Sequence, residues 1–190
     1  MYLFFDTETT GLPINWKAPV TDLKNWPRLV QIAWLLCDEK GNRIESKDYI
    51  IKPENFKIPL GSSKVHGITT DIAIKEGKAL KDILIAFSKL IEQSEFIIAH
   101  NIDFDEKIVG AEFLRKEVSN NLESKNKICT MLSTIDFCRI PSPYGNYKWP
   151  KLSELHIKLF GEDFENAHNA FADIEATEKC FWELRRIEKI

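Results

Sequence analysis

The sequence predicts an α/β domain in which helices lie on a mixed sheet. Three observations carry that expectation: an opening set of strand-like apolar runs, a middle stretch where helical and strand periodicities alternate, and a closing pair of amphipathic helices. Sites in such sheets gather at strand ends, so acidic residues that finish apolar runs are the first candidates for function.

The elements follow in order. YLFFD is a short apolar run ending in acids, and RLVQIAWLLCDEKGNRIESKDYIIKP reads as two strands around a polar Gly-Asn turn. In residues 80–92, Leu80, Ile83, Leu84, Phe87, Leu90 and Ile91 recur at helical spacing, which predicts an amphipathic helix. EFIIAHN predicts a fourth strand. From Phe104 to Glu117, Ile108, Ala111, Phe113 and Leu114 predict a further helix, and KICTMLSTIDF predicts a short fifth strand or a passage from strand to helix. Residues 139–151 hold three prolines and a glycine and read as an irregular loop. LSELHIKLF, stopped by Gly161, and a longer segment from Ala170 to Ile187 read as the last two helices. No repeat, low-complexity tract or shift of composition divides the chain, so residues 1–190 are expected to form a single domain.

Composition narrows the class. With 44% hydrophobic and 29% charged residues, the chain has the balance of a globular domain with a sizeable core and not that of a disordered one. No apolar run approaches the roughly 18 residues of a membrane span, and MYLFFDTETT lacks the pattern of a secretory signal. A cytoplasmic protein without membrane contact is expected. Cys37, Cys129, Cys138 and Cys180 are far apart, form no C-x-x-C pair and have apolar neighbours, which argues against a zinc site or a disulfide framework. The formal charge of −3 looks wrong for a protein that binds a polyanion. Two divalent cations held by four carboxylates would bring it to +1, so charge alone decides nothing.

Asp6 and Glu8 end the first strand. Residues two apart on a strand share a face, so both carboxylates can address one point, as a hard oxygen-seeking cation requires. Taken alone, the pair could equally be a solvated strand end. Thr9, Thr10 and Gly11 then form a tight turn whose backbone N–H groups can meet a phosphate, with Leu12 and Pro13 as an apolar edge. Two further acidic clusters follow, at 99–109 and 165–177.

FFDTETTGLP, AHNIDFDE and HNAFAD resemble, in order, the three motifs of the DEDDh exonuclease family. Its members include the proofreading epsilon subunit of bacterial DNA polymerase III, to which the pattern is most similar, and ribonuclease T. The likeness extends to VHGIT at residues 65–69 and spans nearly the whole chain. It implies a ribonuclease H-like three-layer fold with a five-stranded mixed sheet. It also implies removal of nucleotides one at a time from the 3′ end of a single strand, releasing nucleoside 5′-monophosphates, with DNA favoured and with RNA trimming, or a non-catalytic nucleic-acid-binding module, as the alternatives.

Carried over position by position, the resemblance makes Asp6, Glu8, Asp105 and Asp173 the ligands of two divalent metal ions, Mg2+ or Mn2+. His100, Asn101, Phe104 and Asp105 fill the pattern H-N-x-x-F-D, leaving Asp103 at a variable position as a surface carboxylate. His168 precedes Asp173 by five residues, which on an ideal helix turns about 140° away from a shared face. It is therefore expected in the loop before the last helix, with Asp173 in that helix's first turn. An imidazole, with its ordinary pKa of about 6.5, can take a proton from the attacking water at neutral pH. By the same resemblance Leu12 wedges against the 3′-terminal base, Phe104 packs near that nucleotide, and His66, Asn101 and the Thr9–Thr10–Gly11 turn contact substrate. His100 is expected to position neighbours, and His156 to be an ordinary helix residue.

Two segments mix aromatic and basic residues as single-strand grooves do. One holds Tyr144, Tyr147, Lys148, Trp149 and Lys151. The other holds Trp16, Lys17, Trp26 and Arg28. Either can extend a substrate groove or pack onto the fold with its lysines solvated. Single-stranded DNA or RNA 3′ ends are the expected partners. DNA polymerase III subunits are a further possible partner, set against a stand-alone enzyme because the sequence shows no clamp-binding segment and no tail after the last helix.

Overall fold

The computed structural model describes residues 1–190. In chain order the elements are β1 (Tyr2–Thr9), β2 (Leu29–Cys37), β3 (Arg43–Ile50), α1 (Leu60–His66), α2 (Thr70–Glu76), α3 (Leu80–Gln93), β4 (Phe96–Ala99) and α4 (Ile102–Lys116). A 3-10 turn at Leu122–Ser124 leads to β5 (Asn126–Cys129), α5 (Thr130–Ser133), α6 (Ile135–Cys138), α7 (Leu152–Phe160) and α8 (Ala170–Arg186). The five strands form one sheet in the order β3-β2-β1-β4-β5, antiparallel from β3 to β1 and parallel from β1 to β5. This is the mixed, helix-flanked sheet expected from the sequence.

β1 sits at the centre, and its alternation sorts the two layers. Leu3 and Phe5 point to the larger core, shared with Leu84, Phe87, Ile108 and Phe113 from α3 and α4. Tyr2 and Phe4 point to the other, shared with Ile174 and Phe181 of α8. With both faces covered, β2 is buried at every position, which explains why it reads as a continuous apolar run rather than an alternating one. The β2–β3 turn closes on Asp38, whose Oδ1 accepts the N–H groups of Lys40 and Asn42 at 2.8 and 2.9 Å.

Two short helices escape the sequence reading. α1 and α2 have seven residues each, too few for a 3.6-residue period to separate from noise. Their local signals are a left-handed Gly67 that ends α1, and Thr69, whose hydroxyl accepts the Ile72 N–H to open α2. α4 also starts two residues earlier than periodicity predicts. Asn101 takes a left-handed φ of 76°, a conformation asparagine tolerates better than most residues, and so turns the chain from β4 straight into the helix.

The segment between β1 and β2 splits: Trp26 and Arg28 turn inward, while Leu12, Ile14 and Trp16 stay exposed. Trp26 is only 3% exposed, and its indole N–H donates to the Pro19 carbonyl at 3.0 Å. Arg28 Nε donates to Glu112 Oε1 at 2.8 Å, and Glu112 is fully buried. Arg115 Nη2 donates to the Leu23 and Trp26 carbonyls at 2.5 and 2.7 Å. Trp26 and Arg28 therefore brace the fold and do not line a groove.

Candidate active site

The C-terminal ends of β1, β4 and β5 lie side by side, and the acids converge there. A bulge between Glu8 and Thr9 ends β1, a device common beside active sites. Asp6 and Glu8 continue the face of Tyr2 and Phe4, toward α8, as the two-residue spacing predicts. Asp173 meets them from the first turn of α8. One carboxylate oxygen from each of Asp6, Glu8 and Asp173 lies within 4.8 Å of the others.

Three side chains set the register of α8. Asn169 Oδ1 accepts the N–H groups of Phe171 and Ala172 at 3.1 and 3.2 Å. Gln31 of β2 accepts the Ala170 N–H at 3.3 Å, and Asp173 Oδ2 accepts the His168 N–H at 3.0 Å. His168 is exposed, left-handed at φ 69°, and stands in the loop just before the helix, where the spacing places it.

Asp105 arrives from the opposite layer. It is buried in α4, and its Oδ1 accepts the Thr7 hydroxyl at 2.6 Å. The structure thus gathers three of the four expected ligands directly. The fourth stands beside them, bonded to the residue between Asp6 and Glu8.

Four carboxylates packed this closely resist ionising together. Burial, reinforced by the charges of Asp105, Asp173 and Glu8, pushes Asp6 well above the usual carboxylate range. Burial and the charges of Asp173 and Asp105 raise Glu8 to about 8. Burial raises Asp105 to about 7 against the Thr7 hydrogen bond, and raises Asp173 to about 6 against the hydrogen bond from the His168 N–H. An all-oxygen donor set, half-buried at Asp6, Glu8 and Asp173 and buried at Asp105, that is short of positive charge fits a hard divalent cation.

A cavity of about 430 Å³ opens over the cluster, lined by Asp6, Asp173, His168, His100, Lys151 and Ser153 among others. A larger depression of about 770 Å³ beside the outer face of α8 contains none of the four acids. Its Arg43 and Arg186 are already paired with Glu175, Glu178 and Glu183. Asp6, Asp173 and His168 line the smaller cavity.

The remaining expected residues divide. Leu12 is 71% exposed at the end of the acidic strand, so it is a free apolar edge and not core. Phe104 packs partly on the core and against Trp16 at 5.6 Å between ring centroids. The Thr10 N–H donates to Arg28 O at 2.9 Å, and the Gly11 N–H approaches Thr9 Oγ1 at 3.4 Å. The backbone phosphate contact expected at those two positions therefore lacks a free donor. His66 is buried, its Nδ1 accepting the Ile68 N–H at 3.1 Å, and its Nε2 closes no hydrogen bond. Asn101 serves the backbone turn described above. Asp103 is an exposed carboxylate paired with Lys107, in keeping with its variable position. His156, read as an ordinary helix residue, is buried, and its Nδ1 lies 2.7 Å from the Glu162 carbonyl, which ties down the loop that leads to His168.

The sequence profile of the exonuclease family of the ribonuclease T type matches residues 3–181. The chain belongs to that family. It is similar to the Homo sapiens three-prime repair exonuclease 1, with 24% identity over 95% of this chain and 62% of the human protein. E. coli exonuclease I in complex with a dA16 oligonucleotide superposes with a TM-score of 0.76 at 21% identity, covering 97% of this chain and 40% of that one. A zinc-bound form of an E. coli exonuclease I complex with single-stranded DNA gives 0.74 at 21% identity, with 97% and 40% covered. At this identity the two structures establish a shared fold, and this chain spans about three-fifths or less of each relative's length.

Sequence reasoning missed two residues that brace the acidic site. Thr7 was invisible because a D-x-E pattern takes no account of the residue facing the other layer. Gln31 lay inside an apolar run with no motif around it. Its only signal is a buried amide in a strand where every neighbour is apolar.

Proposed function

We propose that this chain, as one domain over residues 1–190, is a metal-dependent 3′→5′ exonuclease that shortens single-stranded DNA and releases nucleoside 5′-monophosphates. The observation that carries the reading is the convergence of Asp6, Glu8 and Asp173 at a cavity that Asp6 and Asp173 line together with His168.

Asp6, Glu8, Asp173 and Asp105 would hold two divalent cations, Mg2+ or Mn2+. When bound, such cations neutralise the phosphoryl oxygens and stabilise the leaving 3′-oxygen. His168 stands at the open side of the cavity, where its imidazole can accept the proton of an attacking water. Leu12 lies close along the chain from Glu8 and offers an apolar surface to the terminal base, with Phe104 packed beside Trp16 as a second apolar wall and His66 and Asn101 near the same strand ends.

DNA is favoured over RNA because the superposed E. coli structures are complexes with deoxyoligonucleotides and single-stranded DNA. The epsilon-like motifs raise a polymerase partner. The reading adopted here is an enzyme acting alone in the cytoplasm, where its four free thiols stay reduced. Co-purification of a polymerase subunit would overturn that part.

The test is digestion of 5′-labelled single-stranded DNA and RNA of matched sequence, with Mg2+, Mn2+ or chelator, beside Asp6→Ala. A ladder shortening from the 3′ end of DNA, absent with chelator and in the variant, is expected. Equal or faster shortening of RNA would move the substrate to RNA, and no cleavage of either strand would sink the exonuclease reading.

A further inference from the structure

Building on the exonuclease reading, we infer that Lys151 holds the scissile phosphoryl group, which becomes the 5′-phosphate of the released mononucleotide, and that His100 is the positioning residue that sets Lys151 in place. Nothing in the family resemblance or the comparisons assigns a role to Lys151.

The inference starts from charge. Among the residues lining the catalytic cavity, Lys151 is the only lysine or arginine. Four carboxylates and two divalent cations balance, while a phosphodiester and an attacking hydroxide each add a negative charge. A further cation at the rim lowers that excess most in the transition state, where the phosphoryl oxygens carry more charge.

The other lysine of this loop cannot serve. Lys148 is paired with Glu154. Lys151 takes part in no ion pair of the protein, although its charge helps to hold the Glu154 carboxyl below the usual range.

The backbone at Lys151 is also fixed from both sides. Its N–H donates to Glu154 Oε2 at 2.8 Å. The preceding carbonyl, of Pro150, lies 3.0 Å from His100 Nε2, and His100 Nδ1 lies 3.0 Å from the Thr130 hydroxyl. A carbonyl only accepts, so Nε2 carries the proton and donates to Pro150, while Nδ1 accepts from Thr130. Thr130 is fully buried. A relay of buried groups thus runs from the start of α5, through the end of β4, to the residue that opens α7. The histidine of the second motif serves the cavity through Lys151, without having to touch the substrate.

Binding of a nucleoside 5′-monophosphate in the presence of Mn2+, measured by calorimetry, reads this directly, with the unphosphorylated nucleoside as control. Lys151→Met is expected to weaken the monophosphate by about 10- to 100-fold, the range for losing a charge-assisted hydrogen bond, and to leave the nucleoside unchanged. Lys151→Arg should recover most of the loss. Thr130→Val, which breaks the relay without touching the cavity, should weaken the monophosphate several-fold in the wild type and add nothing to Lys151→Met. Unchanged monophosphate affinity in Lys151→Met overturns the role of Lys151, and full additivity of Thr130→Val overturns the positioning role of His100. Strand digestion by the wild type separates either failure from that of the exonuclease reading. A wild-type protein that neither digests strands nor binds the monophosphate overturns both.

Discussion

The acidic wall of the site and the loop that faces it are built on opposite principles. Asp6 and Glu8 belong to the central strand, Asp105 and Asp173 to helices on its two faces, and Asp6 and Asp105 are raised mainly by burial. His168 is exposed, in a left-handed conformation, and joined to the wall by one backbone hydrogen bond to Asp173. The wall is rigid and electrostatically unfavourable until cations arrive. The loop is unstrained by charge and free to reach water. In the proposed mechanism one region gathers charge that solvent only partly relieves, and the other handles a proton that exchanges with solvent.

Substitution in the wall should therefore cost activity and gain stability. Asp6→Asn removes a metal ligand and one of four crowded negative charges. Strand hydrolysis is expected to fall by about 10³-fold or more, while the metal-free protein melts higher than the wild type at pH 8. A parallel loss of activity and melting temperature would mean that Asp6 is a structural group.

The loop should show the reverse. His168→Ala is expected to lower kcat by about 10²- to 10³-fold, within the range for a general base, and to leave stability within about 0.5 kcal/mol, as for other exposed positions. Metal affinity should stay near that of the wild type. A large fall in metal binding would assign His168 to the wall.

The contrast extends to pH. Glu8 and Asp105, at about 8 and 7, bind protons more tightly folded than unfolded, so the stability they contribute is present at low pH and lost as pH rises through those values. His100, lowered to about 4 by burial, has the opposite sign, but its effect falls below pH 6.5 and outside the window. With chelator present, the melting temperature should drop by about 5 °C between pH 6.5 and 8.5. Saturating Mn2+ should reverse the drop, because the cations take the place of the protons. A flat profile with chelator would contradict the crowding of the acids.

Thr7 tests whether Asp105 belongs to the wall in the same sense. Thr7→Val keeps the shape of the side chain and deletes the hydroxyl that donates to Asp105. The metal-free protein should lose about 1–3 kcal/mol, the usual cost of leaving a buried acceptor unpaired, and much of that loss should vanish with saturating Mn2+ if the freed carboxylate joins the metal site. Equal losses with and without Mn2+ would place Asp105 outside it.

How much of this was legible in the sequence follows the same division. The acids of the wall were named by the motif resemblance; strand alternation accounts only for the shared face of Asp6 and Glu8, and the five-residue spacing only for His168 standing in the loop before Asp173. The binding surfaces were not readable. In two segments of like composition single residues met different fates, Trp16 staying 46% exposed while its segment's Trp26 is buried. Trp26 was drawn into the core and Arg28 onto Glu112, while Tyr144 and Trp149 remain 91% and 63% exposed. The difference lies in Glu112 and Arg115, some 85 residues away in sequence, and no local pattern announces such partners. α1 and α2 were missed for a related reason, since seven residues bury too little for periodicity to register.

The exposed segment gives the smallest effect, and one that bears on what the rim is for. Trp149 precedes the two residues through which His100 and Glu154 hold the opening of α7, yet its own ring stands mostly in solvent. If it stacks on a base upstream of the 3′ end, Trp149→Ala should raise KM for a long strand by about threefold to tenfold, the lower part of the range for base stacking, and leave a dinucleotide-sized substrate unaffected. Melting temperature should not change, because little of the ring is buried. Equal effects on both substrates would instead mean that the ring acts on the cavity, through the backbone that leads to Lys151, and would make the rim a continuation of the catalytic site and not a groove beyond it.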